Sequence, residues 1–184
     1  NDGSGTSTVT FSGTTLISGA GTKDFFNVVI NGGAAVTYSS NMSINGNTFV
    51  GTGSLVSVSA SSTITFTSVA ISGAGLKDFA NVTIGTGITT PDVDYTIRGN
   101  LIVTGSHTQT AGTVTFDGTT AKSGAGACTF NNVLVNSGAT FSGTTSHTIN
   151  GTFTNNGTVN FTVGTLTLGA TSVTTLTNPL ASTR

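Results

Sequence analysis

Two aspartates at positions 92 and 94 form the closest pair of carboxylates in this chain. In Asp92-Val93-Asp94 the two side chains would lie on one face of a strand, as a pair of calcium ligands or a general acid and base require. No histidine, lysine or third carboxylate lies near in sequence, and Pro91 favours a loop or the start of a strand. We therefore expect an exposed loop, with a calcium site as the alternative.

A Lys-Asp pair occurs twice after a glycine-rich segment, as Lys23-Asp24 and Lys77-Asp78. Neighbouring residues of a strand point to opposite faces, so the two side chains of each pair do not converge on one site. The glycines are superficially similar to a dinucleotide-binding fingerprint, but that motif continues into a helix and a strand is predicted here. We interpret the pairs as a solvated edge and the glycine-rich segments as turns.

His107, His147 and Cys128 are the other candidates for catalysis or metal binding. Neither histidine has a carboxylate at a spacing typical of a nucleophile and its base, and one cysteine cannot form an internal disulfide. We expect Cys128 to be a small buried or half-buried residue, with an intermolecular disulfide as the alternative. The sequence therefore predicts no enzyme, no catalytic or metal-binding residue and no cofactor.

The composition indicates a β protein with few charges. Only 6% of the 184 residues are charged, the net charge is −1, and 26 residues are glycine. Abundant Gly, Ser, Thr and Asn disfavour helices and suit strands joined by tight turns. Five scattered basic residues form no patch that could bind nucleic acid, and no apolar run is long enough for a membrane span. Because the chain starts at Asn1, we interpret it as a mature or excised product.

One segment occurs three times, beginning at Ser18, Ser72 and Ser123; each copy starts with Ser-Gly-Ala-Gly and continues, three residues later, with Phe-x-Asn-Val. Self-similarity at a nearly fixed interval is typical of a repeat architecture. We divide a single domain, residues 1–184, into repeats over 18–71, 72–122 and 123–168, with 169–184 as a tail or linker. Alternating strands such as Thr8–Phe11 and its relatives starting at Thr63, Thr113 and Thr158 accompany the repeats.

The three copies also predict a core and a set of bends. Asparagine tolerates tight bends, and a bend is needed for both the Phe and the Val of each copy to point inward. We predict stacked interior positions shared by all copies and two pivots in each long repeat, of which five are asparagines and the sixth is Thr152. The predicted core stack is Phe25, Phe79, Phe130, Val28, Val82, Val133, Ile30, Ile84 and Val135, and the predicted pivots are Asn27, Asn47, Asn81, Asn100 and Asn132.

These patterns predict an all-β, single-stranded β-solenoid, most simply a right-handed β-helix. Two coils of roughly 26 residues for each long repeat would give about seven coils. Phe25, Phe79 and Phe130 should then occupy equivalent interior positions two coils apart. No helical period is present to cap the ends, so we expect strand edges that other copies or adjoining repeats can pair with.

The units Phe-x-Asn-Val-x-Ile, Ile-x-Gly-Asn and Thr-Val-Thr-Phe resemble the tandem β-solenoid repeats of large bacterial secreted and surface proteins. The resemblance covers about residues 8–168. The proteins that show such repeats include adhesins, autotransporter-type passengers and filaments. It implies an extracellular or cell-surface location. It implies no ligand and leaves the route of secretion open.

We therefore expect a structural protein that assembles end to end into a surface filament, or forms the stalk of an adhesin. Its partners would be copies of itself or adjoining repeats, with no nucleic acid and no membrane insertion. The alternative is a module that binds ice or a glycan through a flat threonine-rich face. Thr-x-Thr pairs occur at Thr8, Thr63, Thr113 and Thr165, about once per two predicted coils, whereas a continuous array needs them on every coil.

Overall fold

A computed structural model describes residues 6–67, 69–161, 163–169 and 174–176. In these residues there are 26 short strands and no helix. The strands fall into three sheets, here named faces A, B and C.

Face A contains, in spatial order, β1 (Thr8–Phe11), β4 (Asn27–Ile30), β7 (Thr48–Val50), β10 (Ala70–Ser72), β13 (Ile88–Pro91), β16 (Ser106–Thr108), β19 (Ala127–Phe130), β22 (His147–Ile149) and β25 (Leu166–Leu168). Face B contains β2 (Thr15–Ile17), β5 (Ala35–Tyr38), β8 (Ser54–Ser57), β11 (Leu76–Phe79), β14 (Tyr95–Ile97), β17 (Thr113–Phe116), β20 (Asn132–Val135), β23 (Phe153–Asn155) and β26 (Thr174–Leu176). Face C contains β3 (Lys23–Phe25), β6 (Met42–Ile44), β9 (Thr63–Phe66), β12 (Asn81–Ile84), β15 (Leu101–Val103), β18 (Thr119–Ser123), β21 (Thr140–Gly143) and β24 (Thr158–Phe161).

Each strand pairs in parallel with the strand three places further along the chain, so the chain winds through faces A, B and C in turn. This confirms the predicted all-β solenoid with one chain wound in parallel coils. Eight full turns, β1–β3 through β22–β24, are followed by β25 and β26. At about 4.8 Å between neighbouring strands, the rod is about 40 Å long.

The turn is shorter than the sequence repeat predicts. One turn takes about 20 residues rather than the predicted coil of roughly 26. The described chain therefore contains eight full turns and not seven. The step from Asn27 to Asn47, which we assigned to two different coils of one repeat, is one complete turn, since Val28 and Thr48 are direct partners. The longer step from Asn47 to Asn81 spans more than one turn.

The long repeat contains eight strands, and eight is not a multiple of three. Its copies begin at β3 on face C, β11 on face B and β19 on face A. Each copy therefore begins one face away from the copy before it. The first two copies hold eight strands each, β3–β10 and β11–β18, and the third, residues 123–168, holds the seven strands β19–β25. The sequence repeat and the structural turn are two different periods of the same rod.

This rotation corrects the predicted stacking. Phe25, Phe79 and Phe130 end strands on faces C, B and A, so they are not equivalent interior positions two coils apart. Likewise Asn27, Asn81 and Asn132 begin strands on faces A, C and B and lie at three different corners. Eight strands make two full turns and two-thirds of a third, so equal residues in successive copies cannot stack.

The strand relatives of Thr8–Phe11 need one revision. The strands eight places apart are β1, β9, β17 and β25, so the fourth relative begins at Thr165 and not at Thr158. Thr165-Leu166-Thr167-Leu168 keeps the alternation of Thr-Val-Thr-Phe, and the strand that begins at Thr158 is β24 on face C.

The core is one cluster of apolar side chains inside the three faces, with some buried polar residues among them. Alternation within each strand sends every second side chain inward, and the nine predicted core residues all have inward positions. Eight of them are at most 2% exposed, while Phe25, in the first turn, is only half-buried. Phe116 and Phe141 stack face to face with ring centroids 4.0 Å apart, and Phe130 contacts both rings edge-on.

The predicted tail falls largely outside the described residues. Of residues 169–184, the structure describes 169 and 174–176, and Thr174–Leu176 continues face B by pairing with β23. The right-handed winding stays a prediction.

Candidate functional site

The corners between strands carry side chains that hydrogen-bond to the next turn. Asn27 Oδ1 accepts the backbone N–H of Asn47 at 2.8 Å, and Asn81 Oδ1 accepts that of Asn100 at 2.9 Å. Asn132 Oδ1 accepts the N–H of Thr152 at 2.7 Å. Each asparagine thus satisfies a backbone donor where the chain changes face and the strand ladder is interrupted.

Asn81 is the best-connected of these residues. Its Nδ2 group also donates to the carbonyls of Ala60 at 2.9 Å and Ser62 at 3.1 Å in the preceding turn. We expect Asn81→Ala to lower the free energy of unfolding by about 1–3 kcal/mol, because the Asn100 N–H and the Ala60 carbonyl lose their partner. The Ser62 carbonyl loses one of two donors and keeps the Asn81 backbone N–H. Asn81→Asp keeps the acceptor and loses the donors. Its free energy of unfolding, measured by urea denaturation, should lie between those of the unaltered chain and of Asn81→Ala. A cost for Asn81→Ala below that of Asn81→Asp would contradict this role.

The two ends of the rod present strands that pair on one side only. Faces A, B and C begin with β1, β2 and β3 and finish with β25, β26 and β24, and no described residue pairs with their outer edges. Some of the interior side chains nearest the two open ends are only partly covered. They are Phe11, Ile17 and Phe25 at one end and Phe161 and Leu166 at the other, with Val9 38% and Leu168 40% exposed.

The outer edge of β1 carries backbone groups that no described residue pairs with. The carbonyls of Ser7 and Phe11 accept N–H groups of the next turn at 3.0 and 2.9 Å. Because backbone groups alternate sides along a strand, the N–H and C=O of Thr8 and Thr10 point to the open edge. This edge can accept a further strand.

The predicted Thr-x-Thr pairs lie on different faces. Those starting at Thr8 and Thr165 are on face A at opposite ends, that at Thr63 is on face C, and that at Thr113 is on face B. A different column does form on face A, where Thr108, Thr129, Thr148 and Thr167 are direct partners in four successive turns. Ser106 and Ala127 lie beside it as another direct pair.

Asp92 and Asp94 are exposed at the corner between β13 and β14, as expected for a loop. Asp92 Oδ1 accepts the N–H and the hydroxyl of Thr110 at 2.7 and 3.0 Å, and Asp94 Oδ1 accepts the N–H of Thr113 at 2.8 Å. These bonds lower the pKa of Asp92. The pair performs the same corner role as the asparagines.

The expected solvated edge at Lys77 is wrong. Lys77 is 2% exposed, and its Nζ donates to the carbonyls of Gly73 at 2.6 Å and Gly75 at 2.8 Å inside the rod. Burial lowers its pKa. Asp78 points outward and forms an ion pair with Arg98 at 2.9 Å, which agrees with the prediction that neighbouring side chains diverge.

A second group of buried polar residues lies in the last turns. His107 is 1% exposed, its Nδ1–H donates to the Thr129 carbonyl at 3.1 Å, and its Nε2 accepts the hydroxyl of Tyr95 at 2.5 Å. His147 packs against the Phe161 and Phe141 rings, with centroids 4.5 and 5.2 Å away. Burial lowers the pKa of each histidine to about 4, so both are neutral at pH 7.

Cys128 and Lys122 complete this group. Cys128 is buried as expected, directly opposite His107, and burial raises the pKa of its thiol to about 12. Lys122 is fully buried, and its Nζ donates to Thr145 Oγ1 at 2.6 Å. Burial lowers the pKa of Lys122.

Sequence reasoning did not find this polar group. His107, Cys128 and His147 follow one another at intervals of one turn each, but the longer coil that we assumed placed them at unrelated positions. A search for inward positions at a period of about 20 residues would have aligned them.

Within the described residues, no three of the His, Cys, Asp and Glu side chains are grouped so that they could hold a metal ion. The same part of the chain contains no helix that is long and apolar enough to cross a membrane. No protein-family model matches the chain, and neither the curated proteins nor the solved structures contain a match to it.

Proposed function

We propose that this chain is an extracellular structural rod that extends end to end, either as the subunit of a surface filament or as part of an adhesin stalk. The observation that carries the proposal is the pair of open ends, where strand edges and partly covered apolar interior positions coincide. A second copy, or an adjoining repeat, would continue all three sheets and cover these side chains.

Several other properties support axial growth. Each described turn contacts its neighbours through parallel ladders, which any further coil can continue. The net charge of −1 leaves little repulsion between copies. Three of the charged side chains, Lys77, Asp92 and Asp94, hydrogen-bond to backbone groups of the rod itself.

Thr10 offers a direct test of growth from the first turn. Proline at this position removes an N–H that points to the open edge and leaves the bonds from β1 to β4 in place. We expect the unaltered chain to form fibres by electron microscopy and sedimentation, and Thr10→Pro to stay dispersed with an unchanged circular dichroism spectrum. Thr10→Val is the matched control, since it keeps the N–H and should still form fibres.

If the unaltered chain remains a dispersed monomer at high concentration, the filament hypothesis is wrong. The stalk hypothesis would then be retained, because in a stalk covalently adjoining repeats cover the ends. Fibres of Thr10→Pro as abundant as those of Thr10→Val would contradict pairing through the β1 edge.

The threonine column on face A favours a second candidate, binding of ice or a glycan. Thr108, Thr129, Thr148 and Thr167 repeat their hydroxyl and methyl groups once per turn, at about 4.8 Å. Thermal-hysteresis and glycan-array assays test it, with Thr129→Lys as the variant and Thr83→Lys on face C as the control. If the unaltered chain shows neither thermal hysteresis nor glycan binding, this second function is wrong.

A further inference from the structure

The interior of the rod changes in character along its axis. In turns two and three, residues 27–66, the buried groups that can ionise are limited to Tyr38, and the core is built from residues such as Val28, Ile30 and Met42. In turns six to eight, residues 106–161, the interior holds His107, Lys122, Cys128 and His147. Of the four buried basic side chains, His107, Lys122 and His147 lie in turns six to eight, and Lys77 lies in turn four.

The two histidines belong to one column on the inner side of face A. His107 is the direct partner of Thr89 in the turn before and of Cys128 in the turn after. The register of Thr129 with Thr148 places His147 opposite Cys128 one turn further on. Leu166 is the partner of His147 on its other side.

Each histidine is buried among neutral groups and near the Lys122 ammonium, and burial is the main reason why its positive charge is disfavoured. His107 faces the Tyr95 hydroxyl from β14, the Cys128 thiol from β19 and the Lys122 ammonium from β18. His147 faces Lys122 and the rings of Phe130, Phe141 and Phe161, and its Nε2 has no hydrogen-bond partner among the described residues. The tyrosine and the thiol are neutral between pH 5 and 7, and burial raises the pKa of each further.

No carboxylate of the described chain enters this column. Asp24, Asp78, Asp92, Asp94 and Asp117 are all partly or fully exposed. A proton added to either histidine would therefore place a second buried cation near Lys122 without a counter-ion, which a folded core tolerates poorly.

A solenoid can open in one part while another part stays closed, because each turn contacts only its neighbours. We propose that turns six to eight form an acid-sensitive segment of the rod: protonation of His107 and His147 opens these turns, while turns two and three remain closed.

The direction of the pH effect follows from the two states of each histidine. In the closed rod the pKa is about 4, and in the opened chain it returns to about 6.5. The opened state thus binds more protons between these values, so the closed state is fully favoured above pH 6.5 and loses its advantage as the pH falls towards 4. From pH 7 to pH 5 the opening equilibrium should rise about 20-fold for each histidine and several hundred-fold for both.

Hydrogen exchange with mass spectrometry on the full chain at pH 7 and pH 5, corrected for the intrinsic rate, measures this opening by segment. We expect protection to fall in residues 106–161 and to hold in residues 27–66. Equal responses of the two segments, or no response in either, would overturn the proposal.

His147→Phe is the informative variant, because the ring it replaces lies among three phenylalanines and its Nε2 has no hydrogen-bond partner among the described residues. The variant gives up one long hydrogen bond, from Nδ1–H to the Thr145 carbonyl at 3.3 Å, and that loss does not depend on pH. It should reduce the acid response of residues 106–161 about 20-fold. Phe141→Leu is the control: it loosens the same turns but should raise opening equally at both pH values. An acid response of His147→Phe equal to that of the unaltered chain would overturn the role of His147.

A nuclear magnetic resonance titration of the two imidazoles gives a second readout that needs no variant. Both should remain neutral until the segment opens. Titration near pH 6.5 in a chain that is still closed would overturn the proposal.

Discussion

Phe130→Ala is expected to lower the free energy of unfolding by about 3–5 kcal/mol, the range for removing a fully buried aromatic ring. Phe130 is 0% exposed and contacts Phe116, Phe141, His107 and His147. Its loss leaves a cavity that rings in three successive turns surround.

The sequence repeat supplies matched controls for this substitution. Phe79 occupies the same place in its copy, is 1% exposed and contacts Phe66 and Tyr95, so Phe79→Ala should cost a similar amount. Phe25 also occupies this place but lies half-buried in the first turn, so Phe25→Ala should cost only about 1–2 kcal/mol. Urea denaturation of the three variants measures the order. Equal costs for Phe25 and Phe130 would mean that the first turn is covered as fully as the interior.

Gly124→Ala should lower the free energy of unfolding more than Gly138→Ala, although the two glycines have nearly the same backbone φ angle. Gly124 and Gly138 have φ of +88° and +80°, and a side chain in this region costs about 1–2 kcal/mol by itself. A Cβ atom at Gly138 would meet nothing within 4 Å, whereas at Gly124 it would collide with the carbonyl of Val103 in the preceding turn.

We therefore expect Gly138→Ala to cost about 1–2 kcal/mol and Gly124→Ala roughly 3 kcal/mol or more, since two stacked turns must move apart. Chemical denaturation followed by circular dichroism compares the two. Indistinguishable costs would show that the glycines of the Ser-Gly-Ala-Gly turns serve the backbone angle alone and not the close approach of successive turns.

The sequence by itself determined the fold class, because its signals are local. Alternation in Thr8–Phe11 and its relatives specifies strands with one face inward, and glycine-rich segments specify turns between them. The absence of a helical period left a parallel solenoid as the simplest repeat architecture. The alternation within each strand also placed Val28, Val82 and Val133 on the inner side.

Only the tertiary structure decided which residues stack. The length of a turn depends on how many residues each corner uses, and corners bounded by glycine or asparagine differ in length from one turn to the next. Eight strands for each sequence repeat and three strands for each turn then rotate every copy by one face, which separates Phe25, Phe79 and Phe130 and aligns His107, Cys128 and His147. Contacts between turns join residues that are one turn apart in the chain. The long sequence repeat is not a whole number of turns, so it does not give the number of residues in one turn.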